Sequence, residues 1–298
     1  MEVKSALVLA AGEGTRMHPL TLTKPKPLLP VGGKPLIQWT IDALKKSKIK
    51  DIFLLVGRDE NTIRNVFGDE VSYIKQEKPE GTAHAIGMAD GVIKDPFVCI
   101  NGDVVVEETL FPELAKYYEE KKVNIITVTE SQNPADYGVV EVDKDMRVTK
   151  LLEKPKLPSS NLINAGVYVF TPDIFSLVKK TKKSQRGEYE ITDTLILSEA
   201  FAHRYMGFWM DIGKPWDLLL ANEFFVRENK GVNKGKVEDF TVVKGNVSVG
   251  EGTEIRSGAY IEGPCQIGKD CRIGPNCYIR AFTTLGDNVH IGNGVEIK

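Results

Sequence analysis

Two hydrophobic periods divide the chain. From Ser5 to about Phe225, short apolar runs alternate with stretches whose apolar residues recur at helical spacing. The runs 5–12 (SALVLAAG), 51–57 (DIFLLVG), 71–76 (VSYIKQ) and 97–103 (FVCINGD) predict strands. The stretches 34–47 (KPLIQWTIDALKKS), 61–68 (NTIRNVFG), 81–93 (GTAHAIGMADGVI) and 110–122 (LFPELAKYYEEKK) predict helices. Continuous apolar strands interleaved with amphipathic helices predict a mostly parallel sheet covered on both faces. After Val123 the strand-like runs crowd together at 123–130, 138–143, 147–154 and 163–170, which predicts an added, partly antiparallel section. Helices are expected over 188–202 (EYEITDTLILSEAFA) and 215–229 (PWDLLLANEFFVREN).

Beyond a charged, Gly-containing linker at 229–236 the period changes. Val237, Val243, Val249, Ile255, Ile261, Ile267, Ile273, Ile279, Leu285, Ile291 and Ile297 stand six apart without a break. Small or β-branched residues precede most of them by two, among them Thr253, Ala259, Cys265, Cys271, Cys277 and Thr283. Neither a helix nor an ordinary strand has this period. A three-sided β-helix does, with one inward aliphatic residue per side. The expected domains are therefore 1–228 and 237–298. The array reaches Ile297-Lys298 without a polar cap, so either another subunit covers its end or the natural chain runs further.

Composition changes this picture little. The 298 residues are 42% hydrophobic and 27% charged, which suits a folded globular chain. A formal net charge of -2 argues against a generally basic nucleic-acid binder, so any anion site must be local. No apolar stretch approaches the roughly 18 residues that cross a membrane, and no signal peptide is expected. A cytoplasmic protein with reduced thiols is the expectation. Three of the four Cys stand six apart, which invites a metal or disulfide reading; in this repeat they read as small core residues.

The chemistry is expected where strands end at their carboxyl side, the place for ligands in a doubly wound sheet. Three such ends are unusual: AAGEGTR, KQEKPEGT and NGD. Gly12 and Gly14 let the backbone approach an anion, Thr15 offers a hydroxyl, and Arg16 offers a fork of donors suited to phosphate. There is no Walker sequence, and Met17 stands where a dinucleotide fingerprint needs a third Gly. Lys24 and Lys26 follow on a Pro-stiffened loop. Lys24 reads as a solvated side chain and Lys26 as part of a polyphosphate site.

The segment LAAGEGTRM…KPKPLLPVGGKPLI resembles the signature of sugar-1-phosphate nucleotidylyltransferases. A hexapeptide β-helix after such a domain resembles N-acetylglucosamine-1-phosphate uridylyltransferases and their archaeal relatives, with glucose-1-phosphate thymidylyltransferases as near kin. The resemblance implies an α/β fold: a Rossmann-like, mostly parallel sheet followed by a left-handed parallel β-helix. It implies that Gly12, Gly14, Thr15 and Arg16 form the triphosphate loop and that Lys26 contacts the reacting phosphates. Gln76, Gly81 and Thr82 would recognise the base, since an amide offers both donor and acceptor to a uracil or thymine edge. Gly138, Glu153, Lys154 and Asn164 would hold the sugar phosphate, and Asp103 and Asp211 a Mg²⁺ ion. Each has a plainer reading: Asp103 and Asp211 as caps of a turn and a helix, Glu153 paired with Lys154.

The implied reaction joins UTP or dTTP to glucose 1-phosphate or N-acetylglucosamine 1-phosphate and releases pyrophosphate. Its nucleophile is already an anion, so no Ser, Cys or His is needed to activate it. Implied partners are the nucleotide, the sugar phosphate and further copies of the chain, a trimer through the β-helix, with no nucleic acid and no membrane. Three other readings are a mannose-1-phosphate guanylyltransferase, a longer bifunctional form with acetyl-CoA-dependent acetyltransferase activity, and a non-catalytic regulatory subunit of the same architecture.

Overall fold

A computed structural model describes residues 3–298. The chain divides into two compact units: 1–28 with 37–211, and 29–36 with 212–298.

The first unit is built on nine strands: β1 (Ser5–Leu9), β2 (Asp51–Val56), β3 (Ser72–Lys75), β4 (Phe97–Asn101), β5 (Asn124–Glu130), β6 (Gly138–Val142), β7 (Val148–Glu153), β8 (Leu162–Phe170) and β9 (Ala200–Arg204). The main order is β7-β6-β8-β4-β1-β2-β3, and β5 lies between β8 and β9. Strands β4, β1, β2 and β3 run parallel. The later section is largely antiparallel, with β8 against β4, β5 and β6, and β6 against β7. This is the mostly parallel sheet with the antiparallel addition expected from the crowding after Val123.

Alternation along each strand fills two cores. Ala6, Val8, Leu54, Val56, Val98 and Ile100 pack with Ile37, Ile41, Leu44 and Leu114 of the helices Leu36–Lys46 and Leu110–Lys121. Leu7, Leu55, Phe97 and Cys99 pack on the opposite face with Ile86, Ile174 and Leu195. Each of the fully buried Val, Leu, Ile and Phe side chains contributes about 1.5–3 kcal/mol by leaving water.

Two predicted helices are corrected. The stretch 188–202 is helical only over Ile191–Ile196, and Ala200–Arg204 is strand β9, parallel to β5. Its alternation of buried Ala200 and Ala202 with half-buried Phe201 and His203 is a strand pattern that the helical spacing upstream conceals. The stretch 81–93 is helical only over Thr82–Gly87, and the chain turns through Gly91 at φ +78°. Among the described residues no helix is long and apolar enough to cross a membrane.

The second unit begins with a hairpin, Pro30–Val31 against Lys34–Pro35, and a helix, Asp217–Arg227. Asp217 Oδ2 accepts the N–H groups of Gly213 and Lys214 at 2.8 and 2.6 Å, which fixes the helix start. The family of six-residue repeats then forms three parallel ladders. Val237, Ile255, Ile273 and Ile291 stack in one, Val243, Ile261, Ile279 and Ile297 in the next, and Val249, Ile267 and Leu285 in the third. Several coil corners need left-handed backbone, and Asp270, Asn276 and Asn288 supply it at φ between 53° and 58°. Cys265, Cys271 and Cys277 are buried with Ile255, Ile261, Ile267, Ile273 and Ile279. Burial pushes the Cys265 thiol up to about 12, and Cys271 and Cys277 donate to the carbonyls of Gly286 and Gly292. These are packed thiols and not reactive ones.

Candidate active site

Parallel register brings the predicted strand ends together. Ala10 N–H donates to Leu55 O at 2.8 Å, Gln76 N–H to Val56 O at 2.8 Å, and Gly102 N–H to Leu9 O at 2.9 Å. The chain therefore leaves β1, β2, β3 and β4 along one edge. A cleft at this edge is lined by Gly12, Gln76, Gly81, Thr82, Asn101, Asp103 and Glu188, with Leu9 and Leu55 at its apolar wall.

The Gly-rich turn is shaped around Lys26. Gly14 has φ +64° and precedes a single 3₁₀ turn, Thr15–Met17, whose Met17 is buried. A Cβ on Gly14 would stand 3.0 Å from Lys26 Cβ, so a side chain there would crowd the lysine stem as well as strain the backbone. Thr21 donates its hydroxyl to Gly14 O at 2.8 Å and closes the turn. Lys26 is buried, 8% exposed, yet its ammonium lies 2.6 Å from Asp103 Oδ2. A buried ammonium needs such a partner. Glycine-rich loop, lysine and the carboxylate just past β4 thus meet across 77 residues of sequence. Thr15, Arg16 and Lys24 are exposed, and Arg16 makes no ion pair among the described residues.

Gln76 is 5% exposed. Its Nε2 lies 2.9 Å from His84 Nδ1, which accepts the amide N–H when the ring carries its proton on Nε2. The side-chain oxygen and the second amide hydrogen have no protein partner among the described residues. Gly81 and Thr82 are held by a later segment: Ala83 N–H donates to Tyr189 O, Tyr189 N–H to Glu80 O, and Ile191 N–H to Thr82 Oγ1.

A second cluster forms where β6, β7 and β8 adjoin. Gly138 pairs with Glu153. A Cβ on Gly138 would lie 3.1 Å from Glu153 Oε2 and 3.4 Å from Asn164 Cβ, so the three residues form one small cradle. Asn164 is oriented by Nδ2 donating to the Tyr168 hydroxyl at 2.7 Å and by Oδ1 accepting Gly166 N–H at 3.0 Å. Lys154 is exposed, at φ +45°.

Three residues here escaped the sequence reading. Arg186 reaches both Glu153 Oε1 at 3.4 Å and Glu190 Oε1 at 3.1 Å. Burial raises the carboxyls of Glu153 and Glu190 above the usual range, the Glu153 carboxylate adds to the shift at Glu190, and Arg186 opposes the shift in both. Arg186 and Glu190 lie in a non-helical turn before the helix Ile191–Ile196, so their four-residue spacing gave no helical signal in the sequence. Glu188, beside them, lines the cleft.

Asp103 and Asp211 are brought to neighbouring backbone. The short strands Val104–Val106 and Trp209–Asp211 pair antiparallel, with Asp211 opposite Val104, the residue after Asp103. Trp209 donates Nε1–H to Ala165 O at 2.8 Å, which anchors the second strand to β8. Carboxylate oxygens are the donors Mg²⁺ favours, so the chemistry of these two residues fits that ion. Among the described residues no three of His, Cys, Asp and Glu cluster as an all-protein metal cage.

Comparison with known proteins bears on what such a site does. Residues 5–228 match the sequence model of a family described as nucleotidyl transferase, and residues 264–298 match one described as bacterial transferase hexapeptide. The chain is 40% identical over 299 residues to the bifunctional protein GlmU of Methanococcus aeolicus, covering 98% of this chain and 72% of that one. It is also 40% identical over 308 residues to a bifunctional sugar-1-phosphate nucleotidylyltransferase/acetyltransferase of Sulfurisphaera tokodaii, covering 98% and 73%. Among solved structures, UDP-glucose pyrophosphorylase complexed with UDP-glucose superposes with a TM-score of 0.70 at 25% identity, covering 76% of this chain and 100% of that one.

Proposed function

The chain belongs to the nucleotidyl transferase family, and from that premise we propose that it joins UTP or dTTP to glucose 1-phosphate or N-acetylglucosamine 1-phosphate, releasing pyrophosphate. The observation that carries this reading is the Lys26–Asp103 pair at the mouth of the Gly12–Gly14 turn, beside Gln76. In this reading the triphosphate lies along Gly12, Gly14, Thr15 and Arg16, and the base meets Gln76, Gly81 and Thr82. Gly138, Glu153, Lys154 and Asn164 hold the sugar phosphate. Arg186 adds a cation there and keeps Glu153 oriented.

An oxygen of the sugar phosphate attacks the α-phosphorus in line. One phosphorus–oxygen bond forms, the bond to the β-phosphate oxygen breaks, and pyrophosphate leaves with the electron pair. No proton moves, so the site needs no general base. The barrier is repulsion between two polyanions, and the protein's part is fixed positive charge. Lys26, held by Asp103 in the free protein, is placed to take up a phosphate oxygen as charge grows on the transferred and leaving groups. Arg16, exposed and unpaired, can do the same. Asp103 and Asp211 would hold Mg²⁺, which when bound supplies Lewis-acid neutralisation of phosphate charge. We extend the reading to a cytoplasmic homo-oligomer, a trimer through the β-helix.

A pyrophosphate-release assay over four nucleoside triphosphates and the 1-phosphates of glucose, N-acetylglucosamine and mannose tests the reading. Turnover is expected with UTP or dTTP and a gluco-configured sugar. Turnover confined to GTP and mannose 1-phosphate would replace this substrate assignment, and none with any pair would refute the function.

A further inference from the structure

A line of polar side chains stands behind Gln76, all within the first unit. Gln76 follows β3 and is buried. Its amide nitrogen can only donate, so at 2.9 Å the His84 Nδ1 must accept. The single proton of the neutral ring is then on Nε2, which lies 3.9 Å from Glu80 Oε2. A carboxylate at that end favours this tautomer. Glu80 is itself held: Lys183 Nζ lies 3.4 Å from its Oε1, and Tyr189 N–H donates to its carbonyl at 2.9 Å. Lys183, Glu80, His84 and Gln76 thus form one relay.

A side-chain amide can turn end for end, exchanging oxygen and nitrogen with little change of shape. An acceptor at His84 Nδ1 removes that freedom. It leaves Gln76 one oxygen and one N–H for other partners. A uracil or thymine edge offers N3–H between two carbonyls, which such a pair complements, whereas cytosine has no hydrogen on N3. If the ring takes a second proton, Nδ1 becomes a donor and the amide must turn its oxygen to it. Only N–H groups then remain, and a uracil or thymine N3–H finds no acceptor. Other charges do not duplicate this control. The elements packed on the helix Thr82–Gly87 are β1 and Ile174–Val178, which hold no titratable side chain, and Ile191–Ile196. The last brings Asp193, which acts on Glu153 and Glu190, while Glu77 and Lys78 beside Gln76 are exposed.

We propose that His84 is a positioning residue for base specificity: its neutral ring, oriented by Glu80, fixes the Gln76 amide so that its oxygen accepts N3–H of uracil or thymine. Nucleotide recognition is thereby tied to the protonation of His84 and weakens in acid. This inference rests on the reading of Gln76 as the residue that meets the base.

The test measures pyrophosphate release with UTP, dTTP and CTP by the full chain and by His84→Ala, His84→Asn, Gln76→Ala and the His84→Ala/Gln76→Ala double variant. It is run at about pH 8 and about pH 5.5, on either side of ordinary imidazole titration. At the higher pH, His84→Ala should raise the KM for the preferred of UTP and dTTP about tenfold, the scale of one mispaired hydrogen bond. Its preference over CTP should narrow by about the same factor, with kcat within about twofold, because the loss is one of binding. His84→Asn keeps an uncharged acceptor near the Nδ1 position and should recover most of both. On acidification, kcat/KM of the wild type should fall about fivefold further than that of His84→Asn, as the competent ring form is depleted. Protonation of the substrate phosphates is common to both and cancels in the ratio. The double variant should be no worse than Gln76→Ala. A purely structural role would lower the urea midpoint and leave base preference unchanged, which overturns the proposal. So does an acid loss in His84→Asn equal to that of the wild type. If Gln76→Ala raises the nucleotide KM but His84→Ala does not, this proposal alone falls; if Gln76→Ala keeps the wild-type KM, the assignment of the base site falls and takes this one with it.

Discussion

The β-helix and the nucleotidyl transferase region place their important residues by opposite rules. In the β-helix, importance is periodic: Ile255, Ile261, Ile273 and Ile279 are fully buried and each stacks on its counterpart in the next coil. In the first region the candidate site residues have no period. Gly12, Gln76 and Asp103 stand just beyond the ends of β1, β3 and β4, and they come to one edge because these parallel strands finish in register. A repeat announces an architecture, whereas a site is announced by residues that break the local pattern, such as a buried lysine.

Perturbing one region should therefore change rate, and perturbing the other should change stability. The largest effect is expected at Lys26. Lys26→Ala should slow turnover by about 10²–10³-fold, the scale of removing one preorganised charge partner; steady-state pyrophosphate release measures it. Next comes Gly81, where φ is +112° and a Cβ would stand 2.5 Å from Tyr189 O. Gly81→Ala should cost about 2 kcal/mol through backbone strain and raise the KM for nucleotide, read by urea unfolding and initial rates. A change confined to the repeat should leave the rate alone: Ile273→Val should cost about 1 kcal/mol in urea unfolding with kcat unaltered. A fall in kcat matching that at Lys26 would erase the distinction between the regions.

The smallest effect concerns His203. Burial pushes its imidazole below the ordinary value, and Glu113 partly offsets this. The folded state therefore prefers the neutral ring. Its contribution is fully present above the unfolded pKa of about 6.5 and is lost as the pH falls through the lower folded value. Between pH 7.5 and 5.5 the wild type should lose slightly more stability than His203→Gln; equal urea midpoints for both at each pH would contradict this.

The β-helix was legible almost completely, because eleven aliphatic positions at one spacing admit few folds. The parallel sheet was legible from strand and helix alternation. Strand β9 was not: its two inward residues are alanines, Ala200 and Ala202, too small to mark a strand against the Leu- and Ile-rich helix before it. Within the candidate site, the glycine turn, Lys26 and Asp103 were legible as pattern breaks. Arg186 was hidden in the cationic stretch 179–186, which resembles a solvated surface.

The account turns on Asp103 and Asp211 serving one metal-assisted phosphate site, two residues that sequence separates and strand pairing reunites. The most direct measurement is the magnesium dependence of pyrophosphate release by Asp103→Asn and Asp211→Asn. Each variant should lose magnesium-dependent turnover, whereas wild-type dependence in either one would contradict the account.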